Sequence, residues 1–207
     1  MRNTGLILMA IFGIAIGLYP VLYFVVDLSG GLIATKPEFV RESLVWSIAF
    51  YQHIIFGGLA LLTGWSQFFR NIRRQHLSLH RTLGKIYVVV CLVSGIAGAY
   101  LAVFATGGII ASLGFGGLAI GWLYTTSRAY LAIRVRRIEA HRAWMIRSYA
   151  LAFAAVMLRL WMPLFTGLLG LEFWSVYVFV AWFCWLPNLV VAELLIRDLR
   201  LRGISAV

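Results

Sequence analysis

The chain has 207 residues, of which 62% are hydrophobic and only 12% charged, with a formal net charge of +11. A soluble domain of this length keeps about a quarter of its residues charged, so this chain cannot cover itself with polar surface and its solvent is lipid; the mean hydropathy of +0.92 agrees. The positive charge is no nucleic-acid footprint, because the basic residues stand in short clusters between long apolar runs, the pattern by which membrane proteins orient themselves.

Six apolar runs follow one another at roughly 5–27, 45–69, 84–106, 108–133, 143–166 and 172–196. Each is long enough for the about 20 residues that a bilayer core demands of a helix. The first run has one basic residue before it and no small-residue cleavage signal after it, so it is predicted to be a retained helix and not a signal peptide. Segment 70–85, where run two passes into run three, carries Arg70, Arg73, Arg74, Arg81 and Lys85. Segment 128–147, where run four passes into run five, carries Arg128, Arg134, Arg136, Arg137, Arg142 and Arg147. Arg2 opens the chain, and Arg197, Arg200 and Arg202 follow the last run. The alternate connections hold only Lys36 and Arg41, diluted by Asp27, Glu38 and Glu42, then an almost uncharged turn near Thr106 and a lone Glu172. The positive-inside rule predicts both termini in the cytoplasm. Cys91 and Cys184 both lie inside apolar runs and read as small hydrophobes.

Runs two to five carry a repeat. FGGLA at Phe56 is followed by Trp65, Arg73-Arg74, His80-Arg81 and Tyr87; FGGLA at Phe115 is followed by Trp122, Arg136-Arg137, His141-Arg142 and Tyr149. Both copies cross in the same direction, so the repeat is parallel and its axis lies along the membrane normal. The expected fold is therefore an all-α integral membrane protein of six transmembrane helices. Runs two to five form a four-helix core built from the two-helix repeat. The glycine pairs are predicted to face neighbouring helices, since small residues allow close approach where no hydrophobic force drives association.

A two-fold axis sets equivalent residues opposite each other. His80 and His141 open spans three and five at the basic edge, and two opposed imidazoles are the axial ligands of a haem b. Arg81, Arg142 and Arg147 would then pair with the haem propionates. The alternatives are that both histidines are interfacial residues that hold the loops by hydrogen bonds, or that they bind a metal of another kind. The opposite half is asymmetric: His53 has Ser112 as its counterpart, and Arg159 has Gly98. An arginine inside a span costs at least about 2.5 kcal/mol and so faces a partner or a cavity, yet no carboxylate lies at that depth. His53 and Arg159 together would suit a quinone head group; the alternatives are an Arg159 that snorkels to the interface and a His53 satisfied within the helix. Gln67, Pro187, Asn188 and Glu193 are assigned structural roles, Glu193 as the partner of a basic-loop arginine. No P-loop, GxSxG, HExxH or carboxylate pair is present, which excludes the common hydrolytic chemistries.

The segments HIIFGGLALLTGWSQFFRNIRRQHLSLHRTLGKIY and HRAWMIRSYALAFAAVMLRLW resemble the bacterial predicted-membrane-protein family known as domain of unknown function 2306. The matching positions include His53, Gly64, Gln67, His80, Arg81, Gly84, Tyr87, His141, Arg142, Trp144, Met145, Arg147, Tyr149 and Arg159. The resemblance implies a multi-span protein of the inner (plasma) membrane and brings no settled activity. LHRTLGKIYVVVCLVSGIAG is distantly similar to the third helix of cytochrome b-561 proteins, which implies a haem-ligating histidine at the start of a span; the second histidine of the far half is missing here. The leading expectation is a haem-b electron-transport protein with a far-side quinone site. A small-solute transporter and an accessory or assembly subunit of a larger membrane complex are the alternatives. Scarce intramembrane carboxylates count against a proton-coupled transporter.

Overall fold

A computed structural model describes residues 3–26 and 33–201. Arg2, Asp27 and Arg202, used above in the charge count, lie outside them. Six helices are long and apolar enough to cross a bilayer: Thr4–Val25, Leu44–Phe68, Leu77–Val103, Gly108–Arg134, Ile138–Leu168 and Phe173–Leu201, here spans one to six. Among the described residues there is no strand. Large apolar side chains such as Ile48, Val89, Ile96, Ile120, Val190 and Leu194 point outward and stay exposed. That arrangement is stable only against lipid. Spans three and five begin earlier than the apolar runs, because their first turns are amphipathic and hold His80 and His141.

Irregularities in the spans fall where the sequence demands them. Span one tightens into a 3₁₀ turn at Tyr19–Val21 around Pro20. Span two ends in another at Trp65–Phe68; Phe69 is then extended, and a short helix, Arg70–Gln75, lies outside the span. Span five breaks at Phe153 and loosens into a π-turn, Leu164–Leu168, directly after Pro163. Span six turns between Phe173–Phe183 and Leu186–Leu201, ahead of Pro187, which has no N–H to offer the preceding turn. Asn188 repairs the region, its Nδ2 donating to the carbonyls of Cys184 (3.0 Å) and of Ala150 in span five (3.1 Å).

Spans two to five pack in chain order as a ring. Span one lies against two and five, and span six against four and five. Both FGGLA motifs work as packing surfaces. A Cβ on Gly57 would lie 3.3 Å from Ser94 Oγ, and one on Gly116 would lie 3.9 Å from Ala102 Cβ, so the first glycine of each pair faces span three. The second faces a flanking helix: a Cβ on Gly58 would lie 2.6 Å from the Gly17 carbonyl of span one, and one on Gly117 3.5 Å from Trp185 of span six. The last letter of the repeat ends at the bundle centre. Tyr87 and Tyr149 are buried with ring centroids 6.3 Å apart. They fit because Gly64 lies against both; a Cβ there would come within 2.5 Å of Tyr149 and 2.7 Å of Tyr87. A buried polar chain crosses this centre. Tyr87 Oη lies 2.9 Å from Ser148 Oγ, which lies 2.7 Å from Thr126 Oγ1.

Ties outside the core close the structure. Arg147 of span five and Glu193 of span six form a two-pronged ion pair, with Arg147 Nη2 donating at 2.7 Å to Oε2. Glu172 caps span six by accepting from the N–H groups of Trp174 and Ser175 (2.8 and 2.6 Å). Lys36, in the connection between spans one and two, donates from Nζ to the Phe104 carbonyl (2.5 Å) and to Thr106 Oγ1 (2.8 Å). It thereby satisfies the carboxyl end of span three, where the helix dipole favours a cation.

Candidate functional site

Two polar regions interrupt the apolar bundle, one near each end. The end that carries the arginine-rich connections is the basic end; the other is the far end.

The far-end site is built on residues at matching depth. His53, Ser94 and Arg159 each lie nine positions from the far end of their spans (44 to 53, 94 to 103, 159 to 168), or roughly 13 Å into the bundle. His53 Nδ1 lies 3.0 Å from the Ser94 carbonyl, and Ser94 Oγ donates back to the His53 carbonyl at 2.9 Å. A carbonyl only accepts, so this geometry puts the ring proton on Nδ1 and leaves the Nε2 lone pair for another partner. The imidazole fits because span three offers Gly98, where a Cβ would lie 3.0 Å from the ring. The glycine found as the counterpart of Arg159 is thus the space that His53 occupies.

Arg159 does not reach outward to the interface. Nη1 donates to the Ala155 carbonyl one turn deeper in span five (3.0 Å), and the guanidinium carbon sits 4.5 Å above the ring of Tyr19 in span one. The cation–π contact is worth up to about 2 kcal/mol when desolvated. Among the described residues Arg159 has no carboxylate partner. Its charge acts on Tyr23 and on His53, so the two residues singled out in the sequence share one region. Aromatic rings wall it: Tyr23 packs on Tyr19 and Phe50 (6.1 and 5.4 Å), and Phe50 stacks on Trp46 (5.3 Å). Trp46, Phe50 and His53 share one face of span two, and the buried Trp46 Nε1–H has no acceptor.

Sequence reading missed Tyr19, Tyr23, Ser94 and Trp46. Only the Gly13–Gly17 spacing of span one, a small-xxx-small pattern, signals that span one packs tightly on span two. Its Gly17 meets Gly58 there.

At the basic end His80 and His141 stand in the first turns of spans three and five. Their surroundings differ. Span four stays helical to Arg134, so the Ala129 carbonyl is available to His141 Nδ1 at 2.8 Å. Span two unwinds at the matching place, through Phe69, and His80 Nδ1 is buried without a partner. Of the arginines assigned to propionates, Arg81 is exposed and Arg142 half-buried. Arg147 is held by Glu193 and lies 4.6 Å over the Trp144 ring. Gln67 is buried beside Gly84, as a structural residue should be. Among the described residues no three of His, Cys, Asp and Glu gather as a metal-ligating group. Arg73, on the short helix between spans two and three, is half-buried; burial, with the like charges of Arg142 and Arg70, holds it below the usual arginine range.

One face of span three joins the two regions: His80, Gly84, Tyr87, Cys91, Ser94 and Gly98 follow one another at alternating steps of four and three. No curated protein and no solved structure matches the chain. A family model does, over residues 50–196, which takes in most of span two, all of spans three to five, and His53, Ser94, Arg159, His80 and His141, but not Tyr19, Tyr23 or Trp46. The chain belongs to the family described as Predicted membrane protein (DUF2306).

Proposed function

We propose that this six-span family member is an inner-membrane protein, with both termini in the cytoplasm, that binds a lipophilic ligand with a carbonyl-bearing or anionic head group, of the quinone class, at the far end. The observation that supports this is Arg159: a guanidinium about 13 Å inside the bundle that among the described residues has a backbone carbonyl and a tyrosine face as partners and no carboxylate. A head-group oxygen would accept from its remaining N–H groups. The Nε2 lone pair of His53 would accept a hydroxyl proton from the reduced form of the same ligand. An apolar groove of about 300 Å³ along spans one and two, lined by Gly17, Pro20, Phe24 and Leu59 among others, lies near Tyr19 and suits an isoprenoid tail.

The test is extraction of the purified protein and quantification of the quinone it retains. Wild type should retain a quinone in near-stoichiometric amount and Arg159→Gln less than a tenth of it. Equal retention in the two proteins defeats the reading and favours a role as an accessory subunit.

A second reading, haem b between His80 and His141, is favoured by one observation. The His141 Nδ1–H donates to a backbone carbonyl, as the second nitrogen of a metal-ligating imidazole does. Its Nε2 would then ligate the iron, with His80 opposite. The reduced-minus-oxidised spectrum of protein from haem-supplied cells tests it. A sharp band lost in His80→Ala and in His141→Ala supports haem; an ordinary protein spectrum removes it.

A further inference from the structure

We infer that Arg128 and Trp144 form a docking site for the head group of an anionic phospholipid, on the outer surface between spans four and five at the basic end and independent of the far-end ligand. Arg128 lies six positions inside the end of span four (128 to 134), or roughly 9 Å. It is exposed, and Ile120, Tyr124 and Leu131, on the same face of that helix, are exposed too. That face meets lipid. The guanidinium does not extend toward the basic loops. Its Cζ sits 6.0 Å from the Tyr124 ring, one turn deeper in span four, and 5.5 Å from the Trp144 ring of span five. Those two rings meet edge to face at 5.5 Å. Side chains lean toward the amino terminus of their helix, which for span four is the far end, so the backbone itself directs this arginine inward.

The Trp144 indole carries a second cation, Arg147, with Cζ 4.6 Å from the ring. The two arginines differ in what neutralises them. Arg147 has Glu193 as its two-pronged partner. Arg128 has no carboxylate and no hydrogen-bond acceptor among the described residues. One positive charge is therefore left over on an aromatic platform that faces lipid, with the N–H groups of the guanidinium ready to donate. A charge in that position is costly until an acceptor meets it.

The charge and the level identify the occupant. A phospholipid phosphodiester brings one negative charge and oxygens that suit a guanidinium fork, at the edge of the bilayer where indoles gather. Its acyl chain would run down the stripe of Tyr124 and Ile120. An anionic lipid suits the site better than a zwitterionic one, whose ammonium would add a third cation to the two guanidiniums. A second copy of the chain suits it less, because the other carboxylates of this end, Glu139 and Asp198, stand more than one turn further out than Trp144 and Glu193.

The full chain would be reconstituted in phosphatidylcholine nanodiscs that contain a minority of phosphatidylglycerol. Native mass spectrometry would read the phosphatidylglycerol that stays bound and the oligomeric state. An arginine near an anionic surface is worth on the order of a fivefold change in binding, so Arg128→Gln should lower retention by at least that factor. Arg128→Lys keeps the charge but gives up the flat fork and its stacking, and should lower retention about threefold. Trp144→Leu, which changes no charge, should do the same. Arg134→Gln, at the end of the same span, where Arg134 lies 5.7 Å over Tyr130, should stay near wild type. Wild-type retention in Arg128→Lys, or equal losses in Arg128→Gln and Arg134→Gln, overturns the proposal in favour of a diffuse field. A lipid-free dimer that requires Arg128 overturns it in favour of a protein partner. The Arg128 variants alter an exposed side chain, so they decide the matter even if Trp144→Leu fails to fold.

Discussion

The two copies of the repeat agree at the centre of the bundle and disagree at both ends. Tyr87 and Tyr149 meet across Gly64 as near-equivalents, and both FGGLA motifs face helices in the same way. His53 and Arg159, by contrast, have no equivalents of their own type. Yet the difference is ordered. His80 and His141 are 61 positions apart, and at that offset Gly98 corresponds to Arg159 and Ser94 to Ala155. In the second copy Arg159 donates to the carbonyl of Ala155; in the first, His53 reaches across from span two and donates to the carbonyl of Ser94. One backbone acceptor is used twice, by different donors arriving from different helices. Packing has kept the copies alike where volume is limiting, and they have diverged where a polar group had to be placed.

The largest break in this comparison should come at its symmetric point. Gly64→Ala puts a Cβ 2.5 Å from Tyr149, and overpacking a filled core costs about 1–3 kcal/mol. Unfolding of the purified protein in mixed detergent should show it plainly. Gly117→Ala, where a Cβ would meet Trp185 at an ordinary 3.5 Å, should change little. Similar losses at both positions would mean that the two tyrosines do not meet as described.

Gly98→Ala sharpens the asymmetric part. Its Cβ would lie 3.0 Å from the His53 ring, so the imidazole must shift from the Ser94 carbonyl. Quinone retention should fall about tenfold, the equivalent of one hydrogen bond to a charged or strongly polar group, while the unfolding transition moves little. A normal quinone content in this variant would separate His53 from the ligand.

Ser148→Ala removes the link between Tyr87 and Thr126. Hydrogen bonds between membrane helices average about 0.6 kcal/mol, so a loss near that value is expected; the unfolding equilibrium in bicelles measures it. A loss as large as that of Gly64→Ala would show that the centre is held by polar contacts and not by packing.

The smallest effect concerns the cap of span six. The N–H groups of Ser175 and Trp174 hold the Glu172 carboxyl below its ordinary value. A carboxyl with a lowered pKa in the folded state stabilises above its unfolded pKa, and the contribution fades as pH falls through the folded value. Glu172→Gln should therefore lower the melting temperature slightly at neutral pH. The gap from wild type should close as the solution is acidified below the ordinary carboxylate range. A gap that persists unchanged in acid would assign the effect to something other than the carboxylate.

The six spans and the repeat were legible because the bilayer imposes a length and the basic clusters punctuate it. The pairing of Glu193 with a basic-end arginine was legible too, since a carboxylate near the end of a span, beside an excess of arginines, has few other choices. The tyrosines over Arg159 were not. In a soluble helix the buried face is the apolar one, so periodicity reveals it. Here lipid and protein faces are both apolar, and rotation about the helix axis leaves little trace in composition. Tyr19 and Tyr23 lie in an apolar run, and only the assembled bundle shows which way they point. The unequal surroundings of His80 and His141 were hidden for another reason. They depend on whether the preceding span unwinds, and the repeat that aligns the two histidines gives no sign that Phe69 is extended.

The clasp of Lys36 carries a consequence for biogenesis. Its acceptors, Phe104 and Thr106, lie 68 and 70 residues further along the chain. A ribosome delivers the amino-terminal part first, so the lysine has no acceptor until span three has been inserted. The bond therefore dates the completion of the first three helices. Cysteines placed at positions 36 and 106 should cross-link in the finished protein and remain separate in nascent chains in which span three has not yet been inserted.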